Sequence, residues 1–427
     1  MKLTASVFAL AVLFAASRLF AAEPSEEIHS VTEWLQQVSL SGSVRAGYWI
    51  SSRELDDREH LAAASIWLKA TSKLGSNTSF LVEGWFRGQQ LFREDETSGA
   101  LREAYLNVNL GPVDLSVGKQ IIAWGRADRI NPTDNLTAKN FTLLDPDDDD
   151  QRLGTPAVKA TYYLAGVSLT GVWLPDFESD TIPIKRPPPL FRLHRRKPDP
   201  TLNQWALKLE QTEKTVDWSL SYFDGLDPFP DLGIGKVNLS RVDLHLSNHR
   251  IRVIGADAAT TLARYGLRAE AAYTFTGNPA GKNRAIKNPF FFLVVGGDRT
   301  LFEYLNFNVQ YLLRVVVNYR SPFKIADPVE SGVALQQATE TNQLDRLQHG
   351  GSLRISDKWF NETLEGELAG VFFFTRGDYA IRPKLTYAFT DRWKGALGAD
   401  FFRGPHRSFF GNLRDNSTAY VELRWSF

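Results

Sequence analysis

Apolar and polar residues alternate along most of this chain with a period of two. The last stretch, Thr418 to Phe427, reads TAYVELRWSF. Ala419, Val421, Leu423, Trp425 and Phe427 fall on one side of an extended strand, and Thr418, Tyr420, Glu422, Arg424 and Ser426 on the other. Upstream, Ala62, Ala64, Ile66, Leu68 and Ala70 alternate with Ser65, Trp67, Lys69 and Thr71. Leu267, Ala269, Ala271, Tyr273 and Phe275 likewise oppose Arg268, Glu270 and Thr274. Candidate strands run over 39–50, 60–72, 77–90, 100–110, 113–124, 156–164, 167–175, 203–211 and 215–224. They continue over 248–258, 265–276, 287–298, 303–319, 348–358, 362–375, 378–389, 392–403 and 417–427. Most approach the ~9–11 residues that a tilted strand needs to cross a bilayer.

The links between segments follow the same logic. After even-numbered segments they are short, as at Gly111-Pro112, Ala165-Gly166, Gln211 to Lys214 and Thr390-Asp391. After odd-numbered segments most are long: 125–155, 176–202, 225–247 and 320–347. The tight Arg376-Gly377 link after the fifteenth segment departs from this parity. The pattern predicts an all-β chain, a transmembrane antiparallel β-barrel of about 18 strands with both termini periplasmic. About sixteen strands is the alternative, since Lys236 to Leu246 reads as an extension of segment 248–258 and segment 167–175 is brief. Aromatic residues near segment ends suit an interfacial girdle: Tyr48, Trp49, Trp85, Phe86, Trp124, Trp173, Trp205, Trp218, Tyr222, Trp359 and Phe360.

Composition narrows the picture. The 427 residues carry no net charge, which argues against nucleic acid as a partner. The absence of cysteine excludes disulfide scaffolds, thiol catalysis and thiolate metal sites. Lys2 precedes an apolar run from Val7 to Ala16 with small residues near Ala21 and Ala22, which reads as a signal peptide over residues 1–22. Residues 23–38 read as a short periplasmic helix. Ser30 and Glu33 have capping-box spacing, and Ile28, Val31, Trp34 and Leu35 form one stripe. The barrel is expected over 39–427.

Candidate chemistry lies in two loops and the inward faces. The third long-side loop, Gly125 to Gly154, carries Arg126, Asp128, Arg129, Asp134, Lys139, Asp145, the run Asp147 to Asp150, and Arg152. Folded inward, opposed charges of this kind set size and charge selectivity. A solvated surface loop with an acidic tip is the alternative. Calcium held by the Asp run is a third option, although DPDDDD lacks the spaced ligand pattern of a calcium loop. The fourth loop is basic and proline-rich, with Lys185, Arg186, Arg192, Arg195, Arg196 and Lys197, and suits lipopolysaccharide phosphates or anionic solutes. Strand parity places Arg45, Lys69, Glu83, Arg87, Arg102, Arg268, Glu270, Lys384, Glu422 and Arg424 in the lumen, as solute-selecting groups or as a brace of mutual ion pairs. Glu103 falls opposite Arg102, which requires a strand end or a bulge. The seven histidines are scattered, no hydrolase or nucleotide-binding motif occurs, and no enzyme or cofactor is expected.

Three stretches resemble an uncharacterised family of Gram-negative outer-membrane β-barrels known only as a domain of unknown function. They are VGKQIIAWGRADRINPTDNL (117–136), HRIRVIGADAAT with YGLRAEAAYTF (249–260, 265–275) and FFGNLRDNSTAYVELRWSF (409–427). The resemblance implies a porin-like barrel, and some relatives accompany lipid-handling exporters; it supplies no ligand or catalytic residue. The expected function is passive diffusion of small solutes across the outer membrane, with the third loop as constriction and Arg126, Asp128 and Arg129 lining it. The alternative is a substrate-specific transporter or the outer-membrane component of a lipid exporter. Expected partners are outer-membrane lipids and lipopolysaccharide, the barrel-assembly machinery reading Phe427, and further copies of the chain or a periplasmic transport partner.

Overall fold

The computed structural model describes residues 38–51, 59–89, 96–184, 188–198, 203–212, 215–238 and 240–427. The expected signal peptide and, but for Val38, the expected N-terminal helix with Trp34 lie outside them. So do Lys185 and Arg186 of the fourth loop.

Eighteen strands form one closed antiparallel sheet in which every strand pairs with its neighbours in sequence. They are β1 (Ser39–Ser51), β2 (His60–Lys73), β3 (Thr78–Gln89), β4 (Glu96–Asn109), β5 (Val113–Gln120) and β6 (Thr155–Leu164). Next come β7 (Val167–Leu174), β8 (Gln204–Gln211), β9 (Val216–Leu226), β10 (Arg250–Leu262), β11 (Tyr265–Thr276) and β12 (Phe290–Leu301). The last six are β13 (Leu305–Val316), β14 (Leu347–Trp359), β15 (Leu364–Phe373), β16 (Asp378–Ala388), β17 (Trp393–Arg403) and β18 (Thr418–Ser426). Strand β18 closes the barrel on β1 from Ser43↔Ser426 to Ser51↔Thr418. Just past it, Phe427 and Gly42 exchange backbone hydrogen bonds at 3.0 and 3.1 Å. Closure leaves no unpaired sheet edge.

The period-two pattern sorts the wall into two faces. Outward-facing Val44, Ile66, Leu68, Leu207, Leu220, Ile254, Leu267, Val309, Leu397, Val421 and Leu423 are exposed, whereas inward-facing Ser43, Arg45, Ser219, Asp257, Glu270 and Glu422 are buried. A β-bulge opposite Glu83 and Gly84 leaves Arg102 unpaired in the ladder, so Arg102 and Glu103 both reach inward. Of the two alternatives that charge parity left for β4, a strand end or a bulge, the structure has the bulge.

The aromatic girdle needs correction. Tyr48, Phe86, Trp173, Trp205, Trp359 and Phe360 are exposed on the outer wall, but Trp49 and Trp124 are buried, and Trp85 stacks on inward-facing Trp67 with ring centroids 5.8 Å apart. Adjacent strand residues point to opposite faces, so only one member of Tyr48-Trp49 and of Trp85-Phe86 faces outward. Trp124 lies beyond β5, which ends at Gln120.

Long loops build a cap at one end of the barrel. Segment Asp231–Asn238 pairs antiparallel with Arg241–Ser247, which pairs parallel with Phe191–Arg195 of the fourth loop. The stretch read as an extension of β10 is thus part of a separate sheet, which removes the case for sixteen strands. Helix α1 (Pro328–Glu340) is capped by Asp327 and packs Val333 against Leu232, Val242, Leu244 and Leu246. Gln337 joins helix to sheet, accepting from Leu232 N and donating to Asp231. Periodicity predicts no helix here, because the second half of α1 is buried on several sides and its apolar residues form no single stripe.

Candidate functional site

The long segment between β5 and β6, residues 121–154, lies across the barrel interior. Its first attachment is apolar. Ile122, Trp124 and Leu136 pack on the inward faces of Val172 and Leu174 (β7), Ala206 (β8), Phe223 (β9), Ile251 and Val253 (β10) and Ala272 (β11). These inward apolar positions break the polar-inside rule because the loop, not water, covers them. Burying three such side chains contributes about 5–9 kcal/mol at most.

The second attachment is Glu270 of β11, which is only 1% exposed. Its carboxylate accepts hydrogen bonds from the backbone N–H groups of Arg126, Ala127 and Thr133, from the Thr133 hydroxyl and from the Asn131 amide, at 2.8–3.1 Å. A chain turn thus solvates a buried charge that has no ion-pair partner among the described residues. Gly125 makes the turn possible. Its φ of +101° suits glycine, and a Cβ there would meet both Glu270 oxygens at 2.5 Å.

Charges then fix the loop to most of the wall. Arg126 donates to Asp257 (β10) at 2.7 Å and Glu210 (β8) at 2.6 Å. Asp128 accepts from Arg354 (β14) at 2.9 and 3.2 Å, and its backbone bonds Gln310 (β13). Arg129 reaches Glu367 (β15) at 2.8 Å and Asp148 at 3.5 Å. At the acidic end Arg45 (β1) lies between Asp145 at 3.0 Å and Asp150 at 2.6 Å, with its guanidinium 4.3 Å above the Trp67 ring. Asp147 pairs with Lys384 (β16) at 2.6 Å and Arg424 (β18) at 2.9 Å, Asp148 with Arg382 (β16), and the Asp149 carbonyl accepts from Arg102. The buried Arg87 guanidinium donates to the Leu144 carbonyl at 2.7 Å and sits 5.0 Å from the Trp49 ring. The acidic run therefore faces Arg45, Arg102, Arg382, Lys384 and Arg424, while Arg126 and Arg129 face Asp257, Glu210 and Glu367.

Two neighbouring carboxylates of the loop are driven apart in acidity. Burial pushes Asp145 up to about 7, with Asp150 and Glu422 adding to the effect and the shared Arg45 only partly opposing it. Burial acts in the same sense on Asp147, but Lys384 and Arg424 outweigh it and hold that carboxyl down at about 2. Carboxylate oxygens of Asp145, Asp147 and Asp150 lie within 4.8 Å of one another. Each already faces a cation of the wall, which leaves little charge for a calcium ion to neutralise.

Of the residues singled out from sequence, Arg126, Asp128, Arg129, Arg45, Arg87, Glu270 and Arg424 bond between loop and wall. Glu83 binds Arg102 and lies 3.5 Å from Lys69, and Glu422 binds Arg424, so Glu83, Lys69 and Glu422 brace the wall. Asp134 pairs within the loop, with Lys139 and Arg152. Arg268 pairs with Asp298 of β12. Arg354, Glu367, Arg382, Glu210 and Asp257 were not singled out, though strand parity would have placed all five inside. The loop lines one of two cavities. One of about 250 Å³ lies between Asp147 and β15–β18, and one of about 430 Å³ is lined by Asn77, Asn107, Asp114, Ser116, Lys159 and Thr161.

No protein-family model matches the chain, and no curated protein sequence matches it. Solved structures similar to it include mutants of a Rhodopseudomonas blastica porin. A triple mutant is 14% identical with a TM-score of 0.41, and another mutant is 14% identical with a TM-score of 0.43. Each alignment covers 91% of this chain and 100% of that one.

Proposed function

We propose that this chain is an outer-membrane, porin-like channel for passive diffusion of small hydrophilic solutes, with residues 121–154 as its constriction. The observation that carries the reading is the inverted barrel: exposed apolar side chains on the outside, buried charge on the inside, and a charged loop strung across the lumen beside a polar cavity. An apolar outer wall on a closed barrel suits a bilayer, where every backbone group must be satisfied within the sheet. Arg126, Asp128 and Arg129 then narrow the passage, and the wall charges that hold them set its selectivity. In the same reading residues 1–22 direct export, Phe427 is read during assembly, and the chain joins the uncharacterised barrel family resembled by its 117–136, 249–260 and 409–427 stretches. Lipopolysaccharide and other outer-membrane lipids surround the wall.

The substrate-specific transporter retains support from one observation, the dense ion pairing of the loop, which would suit a plug. Swelling of proteoliposomes in neutral sugars of increasing size separates the two. The channel reading expects swelling that slows steadily with solute size. A folded, heat-modifiable barrel that admits not even the smallest sugar would overturn it in favour of the transporter.

A further inference from the structure

The cavity of about 250 Å³ beside Asp147 is lined by two exposed charges that form no close ion pair among the described residues, although Glu365 lies cross-strand from Lys358, whose ammonium bonds Glu362. Asp147, Lys384, Arg424 and Glu422 are bonded among themselves, and Glu367 is held by Arg129 and Arg354. Glu365 of β15 and Lys394 of β17 stand apart. Both line the cavity, both are exposed, and neither has an ion pair among the described residues. Their spacing explains why they do not find each other. Glu365 pairs across with Thr386, Thr386 pairs with Ala396, and Lys394 lies two residues further along β17. With strands ~4.8 Å apart and a rise of ~3.3 Å per residue, the two Cα atoms are about 12 Å apart. The side chains thus present a carboxylate and an ammonium group on either side of a gap, with the Thr386 hydroxyl between them.

We infer that this cavity is a transit subsite for zwitterionic solutes of free-amino-acid size. The solute ammonium group meets Glu365, its carboxylate meets Lys394, and Thr386 supplies a hydrogen bond. A simple anion meets the carboxylates of Asp147, Glu365, Glu367 and Glu422 beside the cations, and a simple cation meets Lys384, Lys394 and Arg424 beside the carboxylates. Only a dipolar molecule satisfies both ends at once. The space is ample for one small solute and part of its hydration. Exposure keeps both contacts screened and weak, as transit requires, since a solute held tightly would block the route. The inference rests on the channel reading above.

The test is the current through single channels in KCl with added alanine, or with erythritol as an uncharged solute of similar size. Alanine at millimolar concentration should reduce the current and erythritol should not. Glu365→Gln and Lys394→Gln should each weaken the alanine effect at least five-fold. They should also shift ion selectivity in opposite directions, the first toward anions and the second toward cations. A conducting wild type on which alanine and erythritol act alike would overturn the subsite and leave the channel intact, as would a variant that keeps the full alanine effect. A folded barrel without any conductance would overturn the channel reading and the subsite with it.

Discussion

Glu270 is the residue on which the loop turns. Three backbone donors, one amide and one hydroxyl converge on it, so Glu270→Ala leaves several buried donors unpaired at about 1–3 kcal/mol each, less whatever water recovers. The expected outcome is a lower unfolding midpoint together with faster proteolysis between Arg126 and Arg152 in the still-folded barrel; unchanged cleavage would mean that the loop is seated elsewhere. Asp145 gives a second prediction. Its folded acidity lies near 7 against 3.8 for the ordinary group, so the folded state favours the proton and loses stability as pH rises between those values. Wild type should therefore lose thermal stability between pH 5 and pH 8 relative to Asp145→Asn. Asp147 behaves in the opposite sense. Its lowered value means that its contribution is fully present above the ordinary carboxylate range and fades only as pH falls toward about 2.

At the scale of elements, strand parity is the strongest sequence signal, and the main error comes from assigning aromatic residues by their place near a strand end instead of by that parity. All eighteen strands were legible because each alternation is short, local and repeated. The bulge at Arg102 was legible because two adjacent charges cannot share a face of a regular strand. Trp49 was not, because an aromatic ring near a strand end suits both a headgroup zone and a packed interior, and its true neighbours, Arg87 and Tyr420, lie on other strands. The consequence is measurable: Trp49→Ala should cost about 3–5 kcal/mol, as for a buried aromatic, whereas Tyr48→Ala on the outer wall should cost far less. Similar losses from both would contradict the facing assigned to β1. Helix α1 escaped notice for a related reason, since its partners are contributed by distant loops that meet only once the barrel has closed.

At the scale of the whole molecule, closure converts a local pattern into a charge-matched interior. The loop's charges were visible in sequence, but their partners were not. Arg45, Arg382 and Arg424 come from strands that meet only around the closed ring, so no spacing along the chain announces them. The result is a loop held at one end by apolar packing and Glu270, and at the other by five cations facing the acidic run. The more exposed of these pairs contribute little individually, but a network with shared partners restrains each side chain for several contacts at once. In the proposed channel ions pass beside this loop. Single-channel conductance and reversal potential of the folded chain, compared with a variant carrying Asp147→Asn and Asp148→Asn, test this. The wild type should show steady open steps. The variant should show altered step size and a shift toward anion selectivity, because Lys384, Arg382 and Arg424 each lose a counter-charge. Identical conductance and selectivity in the two proteins would place the loop outside the conducting path.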